Sequence, residues 1–242
     1  MEDQDLSLED ILDEIAAVRM ESDVVGFSVD QITDWNKAKA LVFPKLVNKA
    51  DNEELLAERP NVGFAENLAV TYAVEIKDDS IVRNGSKASA PVTNQMLESW
   101  GITVEELDRT ARENINGKGQ FKTMREVLIE MMGGNVPEFM LPPEEEDPSM
   151  FVLSNDDKIN GAAALLDDGM LEDISNRLGG DFTILPSSIH EVIILPQNIS
   201  QSRNELRDMV VDVNSTQVAP EERLSDNVYR YDSVTKQVVL AA

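Results

Sequence analysis

One short segment of the chain brings together the residue types of a serine hydrolase. Ser187 and Ser188 are followed by His190, the only histidine in the sequence, and then by Glu191. A hydroxyl, an imidazole and a carboxylate are the groups that activate a nucleophilic serine. If the segment is an extended strand, Ser188 and His190 share one face and Glu191 lies on the other. The acid that orients the imidazole must then come from elsewhere, with Asp181 as the candidate.

The sequence around this segment favours a structural role. The Gly-x-Ser-x-Gly elbow of hydrolases is absent, since the local sequence is Leu-Pro-Ser-Ser-Ile. We therefore interpret the serines as turn residues between strands and the histidine as a hydrogen-bonded strand residue. Ser188 and His190 remain the candidate catalytic pair of an alternative function, a hydrolase or ligand-binding enzyme.

A second segment matches a calcium-binding loop only in part. Asp156, Asn160, Gly161 and Asp167 fall at loop positions 1, 5, 6 and 12, but position 3 is Lys158. A lysine places positive charge where a ligand oxygen belongs, so we predict a turn instead.

Other cofactor signatures are missing from the sequence as well. The glycines at 117–119 and 179–180 lack the spacing of phosphate-binding loops and are typical of helix termination. With no cysteine and one histidine, thiolate metal sites and iron–sulfur clusters are excluded. The sequence predicts no cofactor and no metal.

Acidic residues near the start form a regular pattern. Glu9 and Asp13 are one helical turn apart, as are Asp10 and Glu14, which separates the charges by roughly 6 Å. DNA phosphates have a comparable spacing. These four residues are our candidate partner-binding surface, and an acidic nucleic-acid mimic that blocks a DNA- or RNA-binding protein is one hypothesis for it.

A polar segment near the C-terminus is a further candidate. Asn214, Thr216, Glu221 and Glu222 precede a strand with two tyrosines and are predicted to form a binding rim. A capped loop beside a hairpin explains the same residues equally well.

Composition limits the classes of partner. The chain has 242 residues, 42% of them hydrophobic, and 46 acids against 21 Lys and Arg give a formal charge of −25. A packed core is therefore possible despite the charge. A protein that binds nucleic-acid phosphates or anionic lipids needs clustered basic residues on its surface. We therefore expect no direct binding to nucleic acid or to membranes.

The ends and apolar runs favour a cytoplasmic protein. The first 20 residues carry acids where a signal peptide carries positive charge. The longest apolar runs, at 162–166 and 192–195, are far shorter than the roughly 20 residues of a membrane span.

Helix caps and apolar periods predict an N-terminal mixed α/β lobe, residues 1–132, that begins with the acidic helix at 8–19. Thr93, Thr103 and Thr123 are predicted to begin helices, and Asp51 to cap another. The methionine stripe of the helix after Thr123 is interpreted as core packing. Strands are predicted at 24–29, 40–47, 66–76 and 81–82, and Pro44 indicates an edge or a bulge in the second.

The rest of the chain is predicted to be an acidic, proline-rich linker, 133–149, and a C-terminal α+β domain, 150–242. The domain is expected to hold two helices, at 170–178 and 202–214, on a mostly antiparallel sheet. Its strands are predicted at 150–154, 159–166, 182–185, 190–195, 228–231 and 237–240.

Several blocks of the sequence resemble a known family. They are VTNQMLESWGITVEELDRTARENI, MFVLSN, INGAAALL, LGGDFTILPSSIHEVIILP, VNSTQVAPEERLSDNVYRYD and KLVNKADNEELLAERP. Together they resemble an uncharacterised family of gut-associated Firmicutes, domain of unknown function 5688, from residue 24 to the C-terminus. The resemblance implies a bacterial, cytoplasmic protein and lends no catalytic residue.

The sequence as a whole favours a non-enzymatic, acidic cytoplasmic protein that acts through protein–protein contacts. A basic nucleic-acid-binding protein is the partner that its charge fits. The mimic and the enzyme using Ser188 and His190 are the alternatives.

Overall fold

A computed structural model describes residues 30–76, 88–134, 136–141, 150–186, 188–198 and 201–241. The predicted helix at 8–19 and the predicted strands at 24–29 and 81–82 lie outside these residues. The fold is α+β with antiparallel sheets, as the sequence predicts. The helices are α1 (Asp30–Thr33), α2 (Trp35–Ala38), α3 (Glu53–Glu58), α4 (Asn94–Trp100), α5 (Val104–Ile115), α6 (Met124–Met131), α7 (Asp168–Leu178) and α8 (Arg203–Thr216). The strands are β1 (Val42–Asn48), β2 (Val62–Phe64), β3 (Leu68–Ile76), β4 (Ala88–Pro91), β5 (Gly119–Thr123), β6 (Phe151–Asn155), β7 (Phe182–Leu185), β8 (Val192–Pro196), β9 (Tyr229–Asp232) and β10 (Gln237–Leu240).

Contacts divide the chain into two units that interleave in sequence. Of the described residues, the first comprises those within 30–43, 54–60 and 72–114, and the second those within 44–53, 61–71 and 115–241. This division differs from the one predicted at 133–149. Residues 135 and 142–149 of the predicted linker lie outside the described residues. The strands on either side of it, β5 and β6, pair in one sheet of the second unit.

The first unit packs its helices around two tryptophans. The Trp35 and Trp100 rings lie 5.2 Å apart, and Trp100 Nε1 donates to the carbonyl of Ile32 at 3.1 Å. Thr93 caps α4 through the N–H of Met96, as predicted, and Gly101 ends that helix in the left-handed conformation. The local signals therefore place this helix correctly.

A buried tyrosine connects β3 to α5 in the same unit. The Tyr72 hydroxyl donates to Asp108 Oδ1 at 2.8 Å, and Arg112 Nε donates to the other oxygen of that carboxylate. Burial, together with the neighbouring Asp108 charge, raises the pKa of Tyr72 well above its ordinary value. The phenol therefore stays protonated as the donor to Asp108.

The second unit contains a six-stranded antiparallel sheet in the order β10-β9-β7-β8-β6-β5. Ile184 at its centre pairs with Ile194 on one side and Tyr229 on the other. Helix α8 buries Leu206 and Val210 in a cluster completed by Leu185, Leu195 and Val228. Ser202 and Glu205 form a capping box at the start of α8, and Thr123 and Glu126 form one at the start of α6, the two places where helices are predicted to begin.

Two predicted elements are wrong in detail. The run 159–166 is not a strand but a 3-10 helix, Gly161–Leu166, with all six residues buried. A short apolar run that is buried on every side shows no alternation of apolar and polar residues. Its sequence therefore cannot distinguish a strand from a short helix. Asp51 does not cap the helix after β1, because it lies inside the 3-10 helix Ala50–Asn52. Asn48 Oδ1 accepts from Ala50 N at 2.9 Å just before that turn. The predicted position of Pro44 is confirmed, because β1 is an edge strand.

The methionine stripe of α6 is also not core. Met131 is 72% exposed and Met132 48%, while Met124 and Leu128 are half-buried. Helix α6 contacts β5, the edge strand, and β6. The helical period predicts the apolar face correctly, but the sheet covers only part of that face.

We predict that Gly161→Ala destabilises the protein by about 1–3 kcal/mol, the usual cost of overpacking. A Cβ at this position would overlap Ser154 Oγ and the carbonyl oxygen of His190 and lie 2.9 Å from Asn155 N. Urea denaturation measures the loss. The control is Gly63→Ala, whose Cβ would meet only the flexible end of Lys49, at 3.3 Å. Equal losses for the two variants would contradict the proposed close packing.

Candidate functional site

The turn between β7 and β8 carries the predicted catalytic pair. Ser187 lies outside the described residues. Ser188 forms a single antiparallel bridge with Arg223, and its Oγ accepts from the backbone N–H of His190 at 2.9 Å. Strand β8 begins only at Val192, so the predicted strand 190–195 starts two residues too early. The alternation argument for Glu191 therefore does not apply, because that residue belongs to the turn.

Both nitrogens of the His190 imidazole have partners. Nδ1 accepts from the backbone N–H of Asn160 at 3.2 Å, and Nε2 lies 3.2 Å from Glu222 Oε1. In a neutral imidazole, an accepting Nδ1 places the proton on Nε2, the nitrogen that lies near the carboxylate. The side chain is 29% exposed. The structure thus supplies the acid partner from Glu222, and not from Glu191 or Asp181.

Hydrogen bonds hold the backbone of the turn that carries His190 against two other segments of the chain. Ala162 N donates to the carbonyl of Ile189 at 3.1 Å, and Ser154 Oγ donates to the carbonyl of His190 at 2.8 Å. Ile189 N in turn donates to the carbonyl of Glu222 at 2.9 Å. The Gly161–Leu166 and Pro220–Glu222 turns are therefore both tied to the β7–β8 turn.

In this arrangement the partners of the histidine are groups other than the Ser188 hydroxyl. Among the described residues, no hydrogen bond joins the Ser188 hydroxyl to the imidazole, and the hydroxyl is occupied by a backbone N–H. The imidazole has no free lone pair in this geometry, because Asn160 occupies Nδ1 and the proton occupies Nε2. A base needs such a lone pair to take the serine proton.

The alternative acid, Asp181, belongs to a different cluster. Its carboxylate accepts from the Ser233 hydroxyl at 2.6 Å and the Ser233 N–H at 2.9 Å, and it pairs with Arg230. The Ser233 hydrogen bonds hold the pKa of Asp181 below its ordinary value, and the Arg230 charge adds to the effect. Asp181 thus ties β7 to the β9–β10 hairpin.

The predicted polar rim is not one surface. Asn214 is only 2% exposed, so it cannot belong to a rim; its Nδ2 donates to Ser225 O and Asp226 Oδ1. Thr216 and Glu221 are exposed, and the Thr216 hydroxyl donates to the carbonyl of Asp212. Glu222 instead pairs with His190. Asn214 and Glu222 are therefore engaged in separate contacts, while Thr216 and Glu221 are exposed.

A buried network beside Asn214 was not predicted. The Tyr229 hydroxyl contacts Asn67 Oδ1 and Ser225 Oγ, and Asn227 N donates to the same serine hydroxyl at 3.1 Å. Burial raises the pKa of Tyr229. Asn67 lies 162 positions from Tyr229, so no local spacing predicts their contact.

The segment that partly matches a calcium loop has a structural role. Asp167 caps α7 by accepting from Met170 N at 3.0 Å, and its other oxygen accepts from Gly117 N at 2.7 Å. Within the described part of the chain, no cluster of three or more histidine or acidic residues has the geometry to hold a metal ion. Nor is any helix there long and apolar enough to cross a membrane.

The acidic lattice of Glu9, Asp10, Asp13 and Glu14 lies outside the described residues. Its role as a partner-binding surface stays a prediction.

Fold and site together define an α+β protein with antiparallel sheets and a histidine held in a turn. A model of a family of unknown function, DUF5688, matches residues 1–233, so the chain belongs to that family. The resemblance noted in the sequence is confirmed, and the match extends it to the N-terminal residues. No curated protein and no solved structure matches the chain.

The hydrolase alternative makes a direct prediction at Ser188. Because the imidazole has no free lone pair in the described geometry, we expect a fluorophosphonate probe to label wild type and Ser188→Ala equally, at background level. Intact-protein mass spectrometry measures the labelling. An adduct that disappears in Ser188→Ala and also in His190→Ala would contradict this expectation and restore the catalytic pair.

The lowered pKa of Asp181 predicts that the stability difference between wild type and Asp181→Asn depends on pH. A carboxyl group whose pKa is lowered by folding stabilises the protein above its unfolded pKa of about 3.9, and this contribution is lost as the pH falls. Wild type should therefore be more stable than Asp181→Asn at pH near 7, with a difference that shrinks below pH of about 4. Urea denaturation across this range measures it, with the exposed Asp173→Asn as control. A difference that grows on acidification would contradict the assignment.

Proposed function

We propose that the protein acts by binding a basic protein partner through an exposed apolar surface of the second unit. This surface comprises Met131, Met132 and Phe139, and we call it the Met131 surface. Phe139 is 87% exposed and Met131 72%. The exposure of these three large apolar side chains within one short stretch of the chain is the observation that carries the proposal.

An ion pair holds the two segments of the Met131 surface together. Arg125 of α6 pairs with Glu138 at 2.6 Å, and Glu138 begins the 3-10 helix Glu138–Met140. Phe139 therefore lies on a segment anchored to α6.

The residue types suit a binding surface. An exposed phenyl ring supplies the large contact area that interface anchors require. Methionine has a flexible, polarisable side chain that adapts to the shape of a partner. Together they favour an interface with a protein over a solvated face.

Charge determines the kind of partner. Glu130 and Glu138 at the margin of the Met131 surface are already paired, with Lys122 and Arg125 respectively, so the charge of the partner is inferred from that of the chain. The whole chain carries −25. Because complementary charge steers association and wrong partners are repelled, a partner with basic residues around an apolar centre fits best.

The nucleic-acid mimic remains the competing proposal, and it rests on Glu9, Asp10, Asp13 and Glu14. Mimicry depends on exposed charge, so its affinity falls steeply with salt. An apolar contact persists at high salt. Following the family resemblance, we propose a bacterial, cytoplasmic setting for either form of binding.

The test is capture of partners from a bacterial lysate on the immobilised full chain, with low-salt and then high-salt washes and mass spectrometry. We expect a basic protein to resist the high-salt wash. Met131→Gln/Phe139→Gln should reduce its recovery at least tenfold, which corresponds to about 1.4 kcal/mol.

Val234→Gln is the matched control, because Val234 is 89% exposed in the β9–β10 hairpin. Full recovery with the double variant, or equal loss with the control, would overturn the Met131 surface. Loss of the partner in salt and on reversal of Glu9, Asp10, Asp13 and Glu14 to lysine would favour mimicry instead.

A further inference from the structure

Arg177 lies over an aromatic platform in the second unit. Its guanidinium carbon is 5.2 Å from the ring centre of Phe121 and 5.4 Å from that of Phe151. The two rings are themselves stacked, with centres 4.7 Å apart. A guanidinium on such a platform is oriented by cation–π attraction, while the N–H groups at its edge stay available.

The sheet register explains the platform. In the β5–β6 pair, Phe121 is opposite Leu153, and Phe151 is opposite Thr123. The two phenylalanines are therefore diagonal neighbours, two positions apart on one face of the sheet. Arg177 is in the last turn of α7, where a positive charge complements the helix dipole. The local fold thus fixes the guanidinium.

A concavity of about 440 Å³ opens beside this group, lined by Arg177, Leu178, Pro196, Gln197 and Asn198. Within the described part of the chain, no ion pair or hydrogen bond engages the guanidinium of Arg177 or the side-chain amides of Gln197 and Asn198. Pro196 ends β8 and is buried, so the two amide residues follow a fixed strand end. Three polar side chains with N–H donors therefore line one concavity.

Glu126, an acid whose pKa the Arg177 charge helps to lower, is already committed to other donors. Glu126 accepts from the backbone N–H and the hydroxyl of Thr123, at 2.7 and 2.9 Å, as part of the α6 capping box. Those bonds are the main reason that its pKa is lowered, and the Arg177 charge adds a smaller effect. The guanidinium edge is left for another anion.

We propose that Arg177, with Gln197 and Asn198, binds a carboxylate group. The planar guanidinium matches a carboxylate in a two-bond geometry, and amide N–H groups donate to the same oxygens. One carboxylate balances one arginine. A phosphate dianion would leave uncompensated negative charge in a chain that already carries −25. The carboxylate can belong to a small acid or to the C-terminal end of a peptide.

The experiment follows the side-chain N–H signals of Arg177, Gln197 and Asn198 by NMR while acetate is added at constant ionic strength. We expect saturable shifts of all three, and half-saturation at an at least tenfold higher acetate concentration in Arg177→Ala. Arg177→Lys should bind more weakly than wild type, since an ammonium lacks the planar fork. Inorganic phosphate should bind more weakly than acetate.

Arg109→Ala is the matched control, since Arg109 is an exposed arginine in the first unit. A tripeptide with a free or an amidated C-terminus distinguishes the two sources of carboxylate. Tighter binding of the free peptide than of acetate assigns the site to peptide ends, and equal binding assigns it to small acids.

Acetate shifts of Gln197 and Asn198 that reach half-saturation at the same concentration in Arg177→Ala as in wild type, or shifts that are absent in wild type, would overturn the site. Backbone spectra of each variant check that the fold is intact. The titration uses no partner protein, so its outcome is independent of the Met131 surface.

Discussion

The close approach of backbone segments around Gly161 is the constraint on which the histidine site depends. Because Gly161 has no Cβ, Ser154 and the carbonyl of His190 lie against its backbone, and Ala162 N reaches the carbonyl of Ile189 at 3.1 Å. This approach brings the N–H of Asn160 to Nδ1 of the imidazole. The Pro220–Glu222 turn then supplies the carboxylate at Nε2. The role of the histidine therefore follows from tertiary contacts and not from its neighbours in sequence.

Sequence predicts local contacts well and distant contacts poorly. Thr93, Thr123 and Ser202 are recognised as caps because each accepts from an N–H three residues later. The order of helices and the antiparallel sheets follow from such signals and from apolar periods. Asn160, by contrast, lies 30 positions from the histidine that it contacts, and no spacing rule connects them. The site could therefore be predicted only as a segment that holds Ser188 and His190, without its acid.

Formal charge overstates the number of acids available to a partner. Glu126 and Glu205 complete capping boxes, and their pKa values are lowered by the hydrogen bonds of the cap residues. Asp181 is likewise committed to Ser233 and Arg230. The charge of −25 therefore bears on association in general but does not locate a binding surface. The location depends on which side chains the fold leaves without partners.

Helix α6 shows that one apolar helical pattern can belong either to a buried helix or to a partly exposed one. Its methionines follow a helical period, which predicts that one face is apolar but not what covers that face. A central helix would bury all of them, whereas α6 lies beside the edge strand β5 and leaves Met131 in solvent. The folding free energy gains little from an exposed thioether, so a folding role does not account for this residue. The proposed interface role would account for it, because contact with a partner buries apolar area that the sheet leaves exposed.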